Sequence, residues 1–410
     1  MTASRPTRSR RTVRTLCAAV AVVASATPAY ANSSPTPTLA PSPSGVEPRG
    51  TWTTSKLTET DANAFAVTRP DAHTTWAAGI RSEREGERYV RTVPTLWERD
   101  DRTGGHWKAL PTAPLPGSYD VRFNDVDASS PRNALVVGDH VREAGGIITQ
   151  RWDGRRWQTA TAPVPAQTMT AGFLSVDARS ARDAWAAGWS AVPDPEHVVK
   201  AVGELQHWDG TRWTPAALPE VGEGPGGNWT LSGVTARAHD DVWAVGEAFN
   251  DAWSRPVLLH YDGTTWRKAP APDLGEERVR LNGVASGPHG EVWAVGRAKA
   301  PGAAARGLVL RLSGGTWTEV PLPPGVAPLR SVTVSGARPV VLAEGEGPVA
   351  PKVLERTGST WKSLDLHATG GAEFAAVDIA ARGRTFDVSG KFPGPDTDPV
   401  GPAVVVTARR

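Results

Sequence analysis

The sequence predicts an all-β fold, a seven-bladed β-propeller with four antiparallel strands per blade. Three observations predict it. A W-A-V-G phrase recurs at Trp76, Trp185, Trp243 and Trp293, with weaker copies at Leu135, Leu342 and Phe386, spaced 44–59 residues apart. A second phrase, W-D-G-x-x-W or its variants, ends at Trp107, Trp157, Trp213, Trp266, Trp317 and Trp361. No segment carries a sustained 3.6-residue apolar period, so helix is nearly absent. A fixed period of this length marks one supersecondary unit stacked on copies of itself.

Each unit divides into four short segments. The first reads [FL]-x-x-V-x-A, as in Phe123 to Ala128 and Phe173 to Ala178; Ala64 to Arg69 is a weaker copy. The second is the W-A-V-G segment. The third is an apolar run ending at Trp97, Trp152, Trp208, Tyr261 or Leu312, and the fourth holds the last Trp and runs into Pro. Short Val-, Leu- and Trp-rich runs bounded by Gly, Asp and Pro are strand chemistry with turn punctuation. Asp153-Gly154, Asp209-Gly210 and Asp262-Gly263 read as hairpin turns between third and fourth strands, because Gly takes positive φ without steric cost. Four antiparallel strands repeated radially make a propeller blade. The last unit has three strands, and Gly50-Thr51-Trp52-Thr53 matches the missing fourth. An N-terminal outer strand is therefore expected to join the C-terminal blade and close the ring, removing exposed sheet edges.

Ahead of this domain, expected over residues 49–410, stand two other segments. Residues 1–31 carry a basic n-region, an apolar run and Ala29-Tyr30-Ala31, the pattern of a signal peptide. Ser9-Arg10-Arg11-Thr12-Val13 admits twin-arginine export beside the ordinary route. Residues 32–48 are Pro/Ser/Thr-rich and read as a linker. The expected location is secreted or cell-envelope associated, without membrane insertion once the signal is removed. The chain has 45 basic and 43 acidic residues. Residues 1–31 hold five Arg and no acid, so the remainder keeps 40 and 43, a net charge near −3. No basic stripe points to nucleic acid. The single cysteine, Cys17, lies inside the signal, so the mature chain has no thiol for a disulfide, metal or nucleophile.

Of 17 Trp, fourteen fall on repeat positions and read as packing between blades. Trp189, Trp229 and Trp253 fall outside the frame. All three map to the face carrying the second–third and blade-to-blade connections, whose lengths vary, in the third and fourth blades of the series. Variable loops on a repeated scaffold collect binding residues. These three are the candidate ligand-binding residues, with Asp194, Glu223 and Asp251 near enough in sequence to take hydroxyl hydrogen bonds. Asp127, Asp177 and Asp378 follow the Val of three inner strands, and Thr68, Thr235 and Thr333 hold that place in three others. They read as solvated groups facing the channel, since carboxylates from non-adjacent blades converge poorly on a hard cation. His207 and His260 alternate with Arg151 and Arg311 across the repeats and read as strand residues exposed on one side. Asp183 and Asp241 read as turn residues.

No phosphate loop, G-x-S-x-G elbow or H-E-x-x-H is present. No catalytic residue, cofactor or metal is expected. The third-to-fourth strand turns, as in Trp208-Asp209-Gly210-Thr211-Arg212-Trp213 and Asp262-Gly263-Thr264-Thr265-Trp266, resemble those of secreted bacterial propellers of the Asp-box (BNR) and kelch-like kind. The Asp-to-Trp spacing is one residue short of an Asp-box, and Leu312-Ser313-Gly314-Gly315-Thr316-Trp317 lacks the Asp. The resemblance implies the fold. The arginine cluster and Tyr/Glu pair of the sialidases have no counterpart here, so it implies no such activity. The expected function is a monomeric, secreted or cell-surface, non-catalytic binding propeller for a glycan or an extracellular protein. The alternatives are a glycan-active hydrolase or lyase and a structural envelope protein.

Overall fold

The computed structural model describes residues 52–86, 88–115, 120–140, 146–194, 198–222, 227–275, 277–345, 350–366, 373–393 and 401–409. These lie in one compact unit, Arg49–Arg410. Residues 1–31 and 32–48, expected to be a signal peptide and a linker, and Glu223 fall outside the described residues. No helix among the described residues is long and apolar enough to cross a membrane.

Five four-stranded antiparallel blades follow one another. Their inner strands are Val121–Ser130, Thr170–Ser180, Asn228–Ala238, Arg278–Ser286 and Leu329–Ser335, and their outer strands end at Thr159, Pro215, Lys268, Glu319 and Asp365. The remaining strands form one seven-stranded sheet. Its order is Ala375–Arg382, Thr385–Lys391, Pro402–Arg409, Trp52–Thr68, Thr74–Glu85, Arg88–Asp100 and Trp107–Leu110. The expectation of seven separate four-stranded blades is therefore corrected to a propeller of five blades plus a sheet built from both ends of the chain. The cause is the strand Trp52–Thr68, which runs unbroken for 17 residues. It contains neither Gly nor Pro, so nothing punctuates it. Trp52–Lys56 pairs with Val404–Ala408, and Ala62–Thr68 pairs with Trp76–Arg81. A buried ion pair fastens this sheet, with Arg69 Nε 2.5 Å from Asp387 Oδ2 and Thr407 Oγ1 donating to Asp387 Oδ1 at 2.7 Å.

The repeated Gly of W-A-V-G has a steric origin. Inner strands carry a bulge beside it, shown by register shifts such as Phe123/Asp125, Leu231/Gly233 and Leu281/Gly283. The bulge pushes a carbonyl toward the second strand. A Cβ at Gly138, Gly188, Gly246 or Gly296 would overlap the oxygen of Arg122, Gly172, Thr230 or Arg280. Gly within a strand often marks such an approach. Ala343 holds the place in the Leu329–Asp365 blade. The bulged residues also link blades: Asn124, Ser232 and Asn282 side chains donate to the carbonyls of Phe173, Leu281 and Leu329 at 2.8, 2.6 and 2.7 Å.

Tryptophans pack the gaps between blades. Trp185 meets Trp266 of the next blade edge to face at 5.3 Å, and Trp243 meets Trp317 at 5.4 Å. Such pairs add roughly 0.5–1.5 kcal/mol beyond area burial. The D-G turns are locked by their Asp. Asp209 Oδ1 accepts from Thr211 Oγ1 and from the Thr211 and Arg212 amides at 2.6, 2.8 and 2.9 Å. Those hydrogen bonds, the Thr211 hydroxyl first, hold its carboxyl at about 2.

Candidate ligand-binding site

Two concavities have polar walls. The larger is the central channel, about 420 Å³, lined by inner-strand residues including Asp125, Asp127, Asp177, Thr235, Arg330 and Asp378. Asp127, Asp177 and Asp378 face the channel as expected, but they are engaged rather than simply solvated. Asp127 Oδ2 accepts the Ala178 amide at 2.7 Å and its Oδ1 accepts the Thr68 hydroxyl at 3.1 Å. Asp177 Oδ2 accepts the Ala236 amide and the Thr235 hydroxyl, both at 3.1 Å. Asp378 takes the Val67 amide at 3.0 Å and the Ser331 hydroxyl at 2.5 Å. A fourth carboxylate, Asp125, was not singled out in the sequence because it precedes the Val rather than following it. Its Oδ2 accepts the Val176 amide at 2.8 Å. Each Asp thus ties one inner strand to the next.

Burial pushes the Asp177 carboxyl up to about 7, with the Asp127 carboxylate adding to the rise. Burial and then the Asp378 carboxylate raise Asp125 well above the usual range, and burial raises Asp127 and Asp378. Clustered, shifted carboxylates are a frequent sign of an active site, and structural networks produce the same shifts. Here the carboxylate oxygens are occupied by backbone amides and hydroxyls of the scaffold.

The smaller concavity, about 140 Å³, lies at the outer side of the Asn228–Lys268 blade. Trp253 and apolar residues including Val221, Ala248, Val257 and Leu258 line it. Arg255 and Lys268 line it as exposed cations. The strand Ser254–Tyr261 places Arg255 two residues beyond Trp253, and Lys268 enters from the outer strand, paired with Leu259. The loop that carries Trp253 is fixed at both ends. Asn250 Oδ1 accepts the Ala252 and Trp253 amides at 2.9 Å, and Arg278 Nη2 donates to the carbonyls of Asp251 and Ala252 at 2.9 and 2.8 Å. Arg255 Nη1 touches only backbone oxygens, those of Ser254 and Glu277 at 3.4 and 3.2 Å. Among the described residues neither Arg255 nor Lys268 enters an ion pair.

The three tryptophans singled out in the sequence do not form one exposed platform. Trp189 is 3% exposed and Trp229 6%. Trp229 lies against Gly203, where a Cβ would strike its ring, and Trp189 pairs across the sheet with that same Gly203. Only Trp253 is half-buried and lines a cavity. Arg255 and Lys268 were missed. The available signal was slight: Arg255 stands two residues after Trp253, and Lys268 shares the short strand Trp266–Lys268 with Trp266.

No protein-family model and no curated protein matches the chain. Solved structures do. A protein of unknown function from Dyadobacter fermentans aligns at 15% identity and TM-score 0.50, covering 88% of this chain and 98% of its own. An ulvan lyase of polysaccharide lyase family PL25 aligns at 10% identity and TM-score 0.54, covering 84% and 94%. A puromycin-hydrolysing peptidase of Mycobacterium tuberculosis aligns at 15% identity and TM-score 0.50, covering 85% of this chain and 50% of the peptidase. The chain shares their fold. At these identities the likeness carries the architecture and nothing of the chemistry.

Proposed function

We propose that the protein is a secreted, non-catalytic binding propeller and that its ligand is an anionic glycan held at the Trp253 pocket. One observation carries this reading: two cations with no ion-pair partner among the described residues, Arg255 and Lys268, line a pocket together with the indole of Trp253 and apolar side chains. A sugar ring stacks its apolar face on an indole, and a carboxylate or sulfate on that ring meets the guanidinium and the ammonium. Arg suits the planar anion by its two-pronged donor geometry, and Lys acts as a point charge. The pocket volume suits one sugar residue of a longer chain. One fold neighbour, a polysaccharide lyase, is bound to a saccharide written -[GlcA(1-4)Rha3S]-, which fits this ligand class. The degenerate W-D-G-x-x-W turns keep the Asp-box or kelch-like kind as the reading of the repeat.

A lyase would abstract a proton beside a uronate carboxylate, which needs a base and a charge neutraliser in one cleft. The shifted carboxylates instead line the channel, bound to scaffold amides, and the pocket carries cations without a paired base. The test is calorimetric titration with uronate-rich and sulfated polysaccharides beside neutral ones. Saturable binding to the acidic ligands, weakened at least tenfold in Arg255→Ala/Lys268→Ala, is expected. Ultraviolet absorbance of an unsaturated product, growing with time, would convert the reading to a lyase. Equal binding of neutral glycans, or full binding by the double variant, would remove the pocket from the account.

A further inference from the structure

On the face opposite the variable loops, a turn of one blade reaches the second strand of the preceding one. Asp183 opens the strand Asp183–Asp194, and His207 stands on the neighbouring strand opposite Trp185. That register puts the imidazole diagonal to Asp183, with His207 Nε2 2.9 Å from Asp183 Oδ1. His239 enters from the turn of the following blade, its Nδ1 3.4 Å from Asp183 Oδ2. The two imidazoles lie 5.8 Å apart at 63°. One ligand atom from each of the three residues lies within 4.8 Å of the others. Around a tetrahedral zinc ion with bonds near 2.0–2.1 Å, neighbouring donor atoms sit about 3.4 Å apart. Asp183 lies 2.9 and 3.4 Å from the two imidazoles, so both of those separations are already close to that spacing.

The next blade supplies an internal control. Asp241, His260 and Trp243 repeat the arrangement, with His260 Nε2 3.1 Å from Asp241 Oδ1 and stacked on Trp243 at 4.2 Å. His289 holds in sequence the turn position of His239. Yet there Arg237 bonds both Asp241 and the Gly290 carbonyl, so a guanidinium spans the gap between carboxylate and turn. Among the described residues only Asp183, His207 and His239 come together. The Asp–His pair alone is a scaffold feature; the second imidazole is what distinguishes this copy. Arg179 also binds Asp183 Oδ2, at 2.9 Å. Its side chain is 44% exposed, and a ligating carboxylate commonly keeps such an outer partner. His207 is sheltered, packed on Trp185 at 4.6 Å, while His239 is 70% exposed.

We propose that Asp183, His207 and His239 form a binding site for a zinc-class divalent cation that clamps two adjacent blades, with its fourth position open to water or an incoming oxygen ligand. Two imidazoles and a carboxylate are the donor set that zinc and its transition-metal neighbours take and that calcium and magnesium disfavour.

The test is titration of tag-free protein with zinc chloride in a non-chelating buffer, followed by calorimetry and by Tm. One saturable site is expected, together with a zinc-dependent rise in Tm, as mass action requires for a ligand of the folded state. His239→Ala should bind at least tenfold more weakly and lose the Tm rise while keeping its metal-free Tm, because the side chain is exposed. His207→Gln should weaken binding likewise. His260→Ala and His289→Ala should bind as the unaltered protein does. Absence of saturable binding, full binding by His239→Ala, or an equal loss in His260→Ala would overturn the proposal.

Discussion

The channel and the Trp253 pocket are both polar concavities of one scaffold, yet they differ in what their charges are free to do. The channel is larger and holds the more perturbed groups. Its carboxylates spend their lone pairs on the amides of Val176, Ala178, Ala236 and Val67. The pocket is a third the volume, and among the described residues its Arg255 and Lys268 pair with no carboxylate. Perturbed acidity in the channel records the burial of structural groups. Unspent charge at the pocket is what a ligand can use. The same contrast divides the out-of-frame tryptophans: Trp229 lies inside the core cluster, while Trp253 packs on its edge, half-buried, and lines the pocket.

The tryptophans give the largest expected difference. Trp229→Ala removes a buried indole from the cluster that includes Leu231, Val234 and Leu259, and should cost about 3–5 kcal/mol. Trp253→Ala, at a half-buried wall, should cost about 1 kcal/mol or less. Denaturant unfolding of both variants measures the gap. Similar losses would mean that Trp253 is core after all.

The channel carboxylates come next. Asp177→Ala leaves the Ala236 amide without its acceptor, while the Thr235 hydroxyl keeps Ser286 Oγ at 3.1 Å, and should cost about 1–3 kcal/mol. Asp177→Asn keeps an acceptor and should cost less. The two also separate in pH. The folded carboxyl titrates near 7, above its unfolded value near 3.8, so the folded state binds the proton more tightly. Its contribution is fully present below about pH 4 and is lost as pH rises through 7. Asp125, Asp127 and Asp378 shift in the same direction. The Tm of the unaltered protein, relative to that of Asp177→Asn, should therefore fall between pH 4.5 and 8. A constant difference would show that Asp177 is ionised throughout.

The sequence and the structure agree where information is local. The strand segments, the D-G turns and the inter-blade tryptophans follow from period and turn chemistry, and Gly154, Gly210 and Gly263 do take positive φ, at 90°, 99° and 88°. Disagreement begins where register decides. Nothing in Trp52–Thr68 reveals that one strand serves two partners, because pairing is a property of the partner as much as of the strand. The out-of-frame position of Trp229 marked it as unusual, but its burial depends on Gly203, on a strand of the preceding blade. His207 and Asp183 lie 24 residues apart and meet only through cross-strand pairing. Arg255 and Lys268 read as ordinary surface cations until their shared pocket, and the lack of an ion pair to either among the described residues, is visible in three dimensions.

The smallest effect on the fold should accompany the sharpest effect on binding. Lys268→Glu exchanges one exposed charge at the end of an outer strand, where no ion pair among the described residues is broken, so stability should move by no more than about 0.5 kcal/mol. At the pocket the same change replaces an attraction for an anionic ligand by a repulsion, in a cavity that Arg255 also lines. Affinity for an acidic glycan should fall at least tenfold and lose most of its dependence on salt, since that dependence comes from the cations facing the ligand. Titrations at low and high ionic strength, run on both proteins with one acidic polysaccharide, measure this directly. A parallel salt dependence in the variant would place the anion elsewhere and leave Lys268 as a solvated surface residue.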